Sequence, residues 1–232
     1  MTLLPARLLE ILQMGGSVVG IFDLIEGSLP APGQYLPAQN HQDETEILTR
    51  SLFRTLGPDG RVTLGPIPPR WGPGDRISCL PPQGNGFKLP PTARRVGLLS
   101  LEGDPIQILP LIQPALAQNA AVALFFQEKP HPNILEVIPA SVEINPLSLL
   151  LENLAWLDFL AVEAGRENLK NLSLLLGEET PGFEGQVLVK MPMPCRGLGE
   201  CGACAVKTRH GWRQACTDGP VFPLKELLHV VG

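Results

Sequence analysis

The sequence lacks a basic excess, a long apolar run and a leader. Its 18 Lys and Arg against 23 Asp and Glu leave a formal net charge of −5. That balance argues against a dedicated nucleic-acid binder, which concentrates positive charge on one face. No stretch reaches the ~20 apolar residues a membrane span needs. LSLLLENLAWLDFLAVEAG comes nearest, but Glu152, Asn153 and Asp158 interrupt it. The opening MTLLPARLLEILQMGGSVVG has no cationic leader, no unbroken apolar run and no small-residue cleavage site, so no signal peptide is expected. The chain is read as soluble and cytoplasmic. With 44% apolar and 18% charged residues, its 232 residues can bury a core without disulfides. That length allows one large domain or a few small ones.

Glycine and proline are abundant, with 24 Gly and 25 Pro but no collagen-like period. They mark turns and breaks. Up to about residue 88, SVVGIFDL, RSLFRTL, GRVTLGPIP and DRISCLPP alternate short apolar runs with turn residues. That rhythm suits a small antiparallel barrel or sandwich. The pattern then changes. RRVGLLSL and AAVALFFQE read as buried strands, and LDFLAV and QVLVKM add further apolar runs. PIQILPLIQPALAQNA between them reads as helical, kinked or confined by Pro110 and Pro114. Strand, helix, strand implies a parallel α/β layer. Breaks near 88–90 and near 190 divide the chain into residues 1–88, 89–190 and 191–232. The fold class is α+β and multidomain: an antiparallel β-barrel, an α/β layer, and a C-terminal cysteine loop with a β-hairpin.

Four of the five cysteines fall within the last forty residues, spaced Cys195-x5-Cys201-x2-Cys204-x11-Cys216. In a reducing compartment such a cluster suggests a metal or an iron–sulfur cluster rather than a disulfide framework. A [2Fe–2S] cluster needs four thiolates and a loop that wraps it closely, with backbone N–H groups aimed at the sulfurs. Gly197, Gly199 and Gly202 lie among the first three cysteines and permit that approach. AVKT, RHG and WRQAC read as a hairpin returning Cys216 to the loop. A structural zinc site also uses four cysteines, but usually as two C-x2-C knuckles, and only one is present. Cys79, alone in DRISCLPP, reads as a buried strand residue.

The run MPCRGLGECGACAVKT…QACTDGPVF resembles the C-terminal iron–sulfur segment of the electron-transfer subunits of class B dihydroorotate dehydrogenases, within the ferredoxin–NADP reductase superfamily. The matching positions are Met193, Pro194, Cys195, Cys201, Cys204, Cys216, Gly219, Pro220, Val221 and Phe222. The family commonly has four residues in the first gap, and this chain has five. Upstream, PGQY at 32–35 and PGDRISCLPPQGNGFKLP are similar to stretches of the family's flavin barrel and its exit. The resemblance implies a [2Fe–2S] cluster on Cys195, Cys201, Cys204 and Cys216. It allows a FAD held by Arg50 and Ser51 of TRSLFRTL, an arginine for the pyrophosphate and a hydroxyl near the ring. The alternative for Arg50 is an ordinary surface arginine on a strand.

The central layer departs from the family. LLSLEGDPIQIL stands where a Gly-rich turn is expected, with Gly103 alone between Glu102 and Asp104. A turn of that kind brings backbone N–H groups to a pyrophosphate. Nor is the family's later Cys-Gly-Pro stretch recognisable; LLLGEETPGF occupies roughly that place. The layer is therefore a degenerate nucleotide-binding domain, and NAD(P) binding is expected to be lost. His41, His131, His210 and His229 show no ligand spacing. Arg196, Lys207, Arg209 and Arg213 surround the cysteines as a solvated rim or a docking face, with Trp212 as an apolar anchor or a locally packed side chain.

Two functions follow from the resemblance. One is an electron-transfer subunit, not a self-sufficient enzyme, whose partner is a flavin-containing oxidoreductase of the dihydroorotate dehydrogenase type. The other is a non-catalytic assembly or regulatory subunit with a structural metal site.

Overall fold

The computed structural model describes residues 3–24, 29–43, 45–101, 103–177 and 182–228. Six strands close into a barrel: β1 (Leu4–Met14), β2 (Ser17–Leu24), β3 (Tyr35–Asn40), β4 (Arg50–Thr55), β5 (Thr63–Gly65) and β6 (Arg76–Cys79). Their order round the barrel is β1-β2-β5-β4-β3-β6, every pairing antiparallel. Alternate side chains point inward, so Leu8, Phe22, Leu36, Leu52, Leu64 and Ile77 fill the interior. Cys79 is fully buried there, and burial pushes its thiol up to about 12. The 11-residue β1 left no clean alternation in the sequence. A register shift between Leu8 and Glu10 inserts an extra residue against β2, which breaks the period of two.

Beyond the barrel, β7 (Arg95–Ser100), β8 (Ala121–Phe126), β9 (Glu143–Pro146), β10 (Phe159–Gly165) and β11 (Glu184–Lys190) form a parallel sheet in the order β11-β10-β7-β8-β9. The strands β7, β8 and β10 are apolar nearly throughout, as parallel strands covered on both faces must be. Between β7 and β8 the two prolines confine the helical segment to one 3-10 turn at Leu109–Leu111 and the six-residue α1 (Ile112–Ala117). The leucine run after β10 is a helix; α2 (Pro132–Leu135), α3 (Leu150–Asn153) and α4 (Leu169–Leu176) are all short. No helix among the described residues is long and apolar enough to cross a membrane.

The C-terminal segment leaves the sheet and returns to it. After β11 the chain runs through the cysteine loop into the hairpin of β12 (Ala205–Thr208) and β13 (Gly211–Gln214). It then adds β14 (Val221–Pro223), antiparallel to β11, and ends in α5 (Leu224–Leu227). Val221, Phe222, Leu224 and Leu227 share one core with the sheet, and so do Met14, Val19, Tyr35, Phe53 and Phe87 from the barrel side. This common core holds the three segments against one another.

Candidate iron–sulfur centre and its junction with the barrel

The hairpin performs the role expected of it. Its register pairs Ala205 with Gln214, and Ala215 N–H donates to the Cys204 carbonyl at 2.9 Å, so Cys204 and Cys216 flank the same base. Cys195 follows β11 directly, and its Sγ lies 3.9 Å from that of Cys216. Side-chain contacts run from Cys201 to Cys195, from Cys195 to Cys216 and from Cys216 to Cys204. All four thiols are therefore brought together. Cys204 and Cys216 are buried, Cys195 is half-buried, and Cys201 is exposed.

Burial raises the Cys195 thiol, but the Gly199 N–H, the Cys201 and Cys216 thiols and the Leu198 N–H outweigh it and bring it down to about 7. Those two amides are donors directed at a sulfur, the arrangement a negatively charged cluster requires. Cys216 is pushed up to about 12, by burial first and then by Cys204 and Cys195. Among the described residues, no three His, Cys, Asp or Glu side chains close on a single point as a one-ion site would demand. Four thiols with backbone amides aimed at one sulfur are the donor set an iron–sulfur cluster uses. The donor set fits an iron–sulfur cluster.

The barrel supports this loop through contacts that sequence reasoning did not anticipate. Tyr35, the chain's one tyrosine, is fully buried at the start of β3. Its hydroxyl donates to the Cys216 carbonyl at 3.2 Å and lies 3.4 Å from Gln83 Oε1. Its own titration is raised, by burial first and then by Cys216, Cys195 and Cys204. Thr49 Oγ1 donates to the Pro194 carbonyl (3.3 Å), and Arg196 Nη2 to Gln39 Oε1 (2.7 Å). Asn85, in the GNGF turn, donates its N–H to the Gly219 carbonyl (2.5 Å) and its amide to that of Asp218 (2.6 Å). The chain's one tyrosine, the last residue of PGQY, was the available signal; the other contacts left none.

Arg50 and Ser51 open β4 and line a cavity of about 370 Å³ where barrel, sheet and cysteine loop meet. Thr49, Gln107, Lys190 and Met193 line it too. Arg50 is half-exposed; its Nε donates to the buried Glu46 (3.1 Å), leaving the two terminal amino groups available. Gln107 is buried, and its Oε1 has no hydrogen-bond partner. A junction cavity with the free terminal N–H donors of Arg50 and one orphaned acceptor fits a flavin, which carries a pyrophosphate and a ring N–H.

The nucleotide crevice is different. In an open parallel sheet a dinucleotide lies outside the carboxyl ends of the strands, where the order reverses, here β7 and β10. Glu163 of β10 is fully buried there, and its Oε2 accepts the N–H groups of Gln107 (3.0 Å) and Ile108 (3.2 Å). The chain's own carboxylate thus occupies donors that a phosphate would use. Alongside, Asp104 Oδ2 accepts the Gly16 N–H (2.6 Å), and Asn133 Oδ1 accepts that of Gly15 (3.0 Å). The β1–β2 turn is therefore seated on the carboxyl ends of β7 and β8. The carboxyl end of β10 reads Ala164–Gly165–Arg166, while Leu174–Leu176 of LLLGEETPGF ends α4. Glu102 and His229 lie outside the described residues.

Arg196, Lys207, Arg209 and Arg213 are exposed, and so are Trp212, 70% accessible on β13, and Leu198, 64% on the loop. His41 and His210 are exposed, and His131 Nδ1 pairs with Asn133 Oδ1.

A flavin-type barrel, a parallel sheet and a C-terminal cysteine loop define a chain with the ferredoxin-reductase fold and an appended iron–sulfur segment. Residues 192–228 match the family model of the iron–sulfur cluster binding domain of dihydroorotate dehydrogenase B. The chain is similar to the electron transfer subunit of dihydroorotate dehydrogenase B (NAD(+)) from Desulforamulus reducens, 25% identical over 227 residues, covering 84% of this chain and 86% of that one. Among solved structures, it superposes on the NADH-dependent reduced ferredoxin–NADP oxidoreductase described for flavin-based electron bifurcation. The TM-score is 0.68 at 18% identity, over 95% of this chain and 88% of that chain. A ferredoxin reductase of carbazole 1,9a-dioxygenase gives 0.60 at 14% identity, over 78% and 67%. These likenesses bear out the fold and the resemblance to the electron-transfer subunit.

Proposed function

We propose that the chain is an electron-transfer subunit. It passes electrons through a [2Fe–2S] cluster held by Cys195, Cys201, Cys204 and Cys216, to or from a flavin-containing oxidoreductase of the dihydroorotate dehydrogenase type. The observation that carries this reading is the convergence of four thiols, with amide donors directed at Cys195, in the segment that matches the iron–sulfur family. When bound, the cluster supplies one-electron transfer, and a flavin couples that to two-electron chemistry. The chain's residues do the rest. Cys204 and Cys216 hold from the buried side, and Cys201 holds at the surface. The Leu198 and Gly199 amides offset negative charge on sulfur. Tyr35 fixes the Cys216 backbone against the barrel.

Arg50 and Ser51, which line the junction cavity, would hold a FAD there, Arg50 by its pyrophosphate and Ser51 near its ring. Met193 and Pro194 line that cavity and lead directly into Cys195, which supports a short path between the two centres. Glu163 and the seated β1–β2 turn support the absence of nicotinamide binding, so electrons are exchanged with another protein. A reducing, cytoplasmic setting goes with this reading, since four of the five cysteines lie in one short segment spaced for a cluster rather than for a disulfide framework. The same self-occupied crevice favours the second reading, an assembly subunit built on a degenerate scaffold. Anaerobic purification decides between them: a brown protein with about two irons and two sulfides per chain is expected. A colourless protein with one tightly held zinc overturns the proposal.

A further inference from the structure

We infer that Lys190 and Gln107 form the polar edge of the junction cavity that receives a flavin ring, with Glu163 positioning both, and that Lys190 raises the reduction potential of that flavin. This inference rests on the flavin reading above.

The three residues come from three strands' carboxyl ends, around the point where the strand order reverses. Glu163 lies in β10, Lys190 ends β11 opposite Gly165, and Gln107 follows β7. Glu163 is fully buried, which is costly for a carboxylate unless several groups hold it. Its Oε2 takes two backbone amides, at Gln107 and Ile108, and its Oε1 faces Lys190 Nζ at 3.3 Å. The carboxylate therefore anchors the 107–108 backbone and the lysine at one point. Lys190 is 30% exposed, so its ammonium sits between this buried anchor and the open cavity.

The remaining unmet group is Gln107 Oε1, buried, lining the cavity and without a donor. A buried acceptor of this kind calls for an N–H from whatever fills the space. The Lys190 ammonium is paired with the buried Glu163, so the pair is neutral overall but presents its positive end to the cavity. A neutral planar heterocycle with a ring N–H meets the orphaned acceptor, and an oxidised flavin ring is one. Uptake of two electrons and one proton leaves that ring with one negative charge. An ammonium at the ring edge stabilises this form over the oxidised one, the electrostatic tuning open to a flavoprotein.

The test uses the full chain, reconstituted with FAD and titrated spectroelectrochemically. The wild type is expected to hold one FAD. Lys190→Gln is expected to weaken retention of the reduced flavin about tenfold relative to the oxidised one, which lowers the midpoint by about 30 mV. Lys190→Arg should keep the wild-type midpoint. Gln107→Leu should raise the FAD dissociation constant about fivefold, from loss of one hydrogen bond. Because Lys190→Gln leaves Glu163 buried and unpaired, Glu163→Gln/Lys190→Gln is the companion that keeps the site neutral. It too should titrate below wild type. If both Lys190→Gln variants hold FAD at the wild-type midpoint, the inference is overturned while the flavin reading stands. A wild-type chain that takes up no FAD overturns both.

Discussion

Replacing Gly197 by Ala adds one methyl group to the cysteine loop at its tightest point. Gly197 has φ +80°, a left-handed conformation that costs an alanine about 1–2 kcal/mol. The new Cβ would also overlap Gln83 Oε1 and come within 3.1 Å of the Tyr35 hydroxyl. Gln83 must swing away and give up its contact with Tyr35, a further ~0.5–1 kcal/mol. The sum is about 1.5–3 kcal/mol against the closed loop, or roughly 10- to 150-fold at 1.4 kcal/mol per decade. Gly202 is the internal control. It has φ +69°, but nothing lies within 4 Å of its added Cβ. Gly202→Ala should therefore show backbone strain alone, roughly 5- to 30-fold. The assay is chelator-driven bleaching of the reconstituted, cluster-loaded chain, followed by visible absorbance and iron content, with the apo loop free to relax. Equal losses in the two variants would refute the role given to the Gln83–Tyr35 contact. No loss in either would refute the idea that loop geometry holds the cluster.

Other outcomes follow from the same contacts. Tyr35→Phe should keep the ring against Phe53 but orphan the buried Cys216 carbonyl, destabilising the loaded protein by about 1–3 kcal/mol in urea unfolding; a change below a few tenths would mean the hydroxyl bears no load. Burial raises the Glu163 carboxyl above 4.5, against the opposing pull of Lys190 and two amides. Between 4.5 and the folded value the native chain keeps a proton the unfolded chain has lost, so this group's contribution to stability falls as pH rises through that window. Glu163→Gln should flatten that decline in unfolding curves taken from pH 4.5 upward, and an unchanged slope would assign it elsewhere. Calorimetry with NADH should show no micromolar binding, because Glu163 and Asp104 stand where phosphates would lie; a micromolar isotherm would show the crevice to be open. Trp212→Ala with Arg213→Glu should weaken partner association and leave the cluster spectrum intact, whereas an unchanged partner reduction rate would put the docking face elsewhere.

The cysteine segment was legible because its chemistry is local. A C-x2-C knuckle, interleaved glycines and a four-residue strand either side of RHG bring Cys195, Cys201, Cys204 and Cys216 together within 22 residues of chain. The parallel strands were legible for a similar reason: AVALFF and FLAVEAG are apolar on both faces, which only a covered sheet allows. The absence of a glycine turn after β7 was also visible. What replaced that turn was not. Glu163 reads in sequence as one charge inside an apolar strand, and only folding brings the Gln107 and Ile108 amides to it across more than fifty residues. Tyr35 meets the Cys216 carbonyl 181 positions away, and Gly16 meets Asp104 88 positions away. Such contacts leave no periodicity or spacing, because each partner occupies an ordinary strand or turn position and gains its role from what the tertiary fold sets beside it. Sequence alone determined the cysteine spacing and the layers; packing of barrel on sheet decided which backbone donors remain for a nucleotide and which side chains edge the cavity.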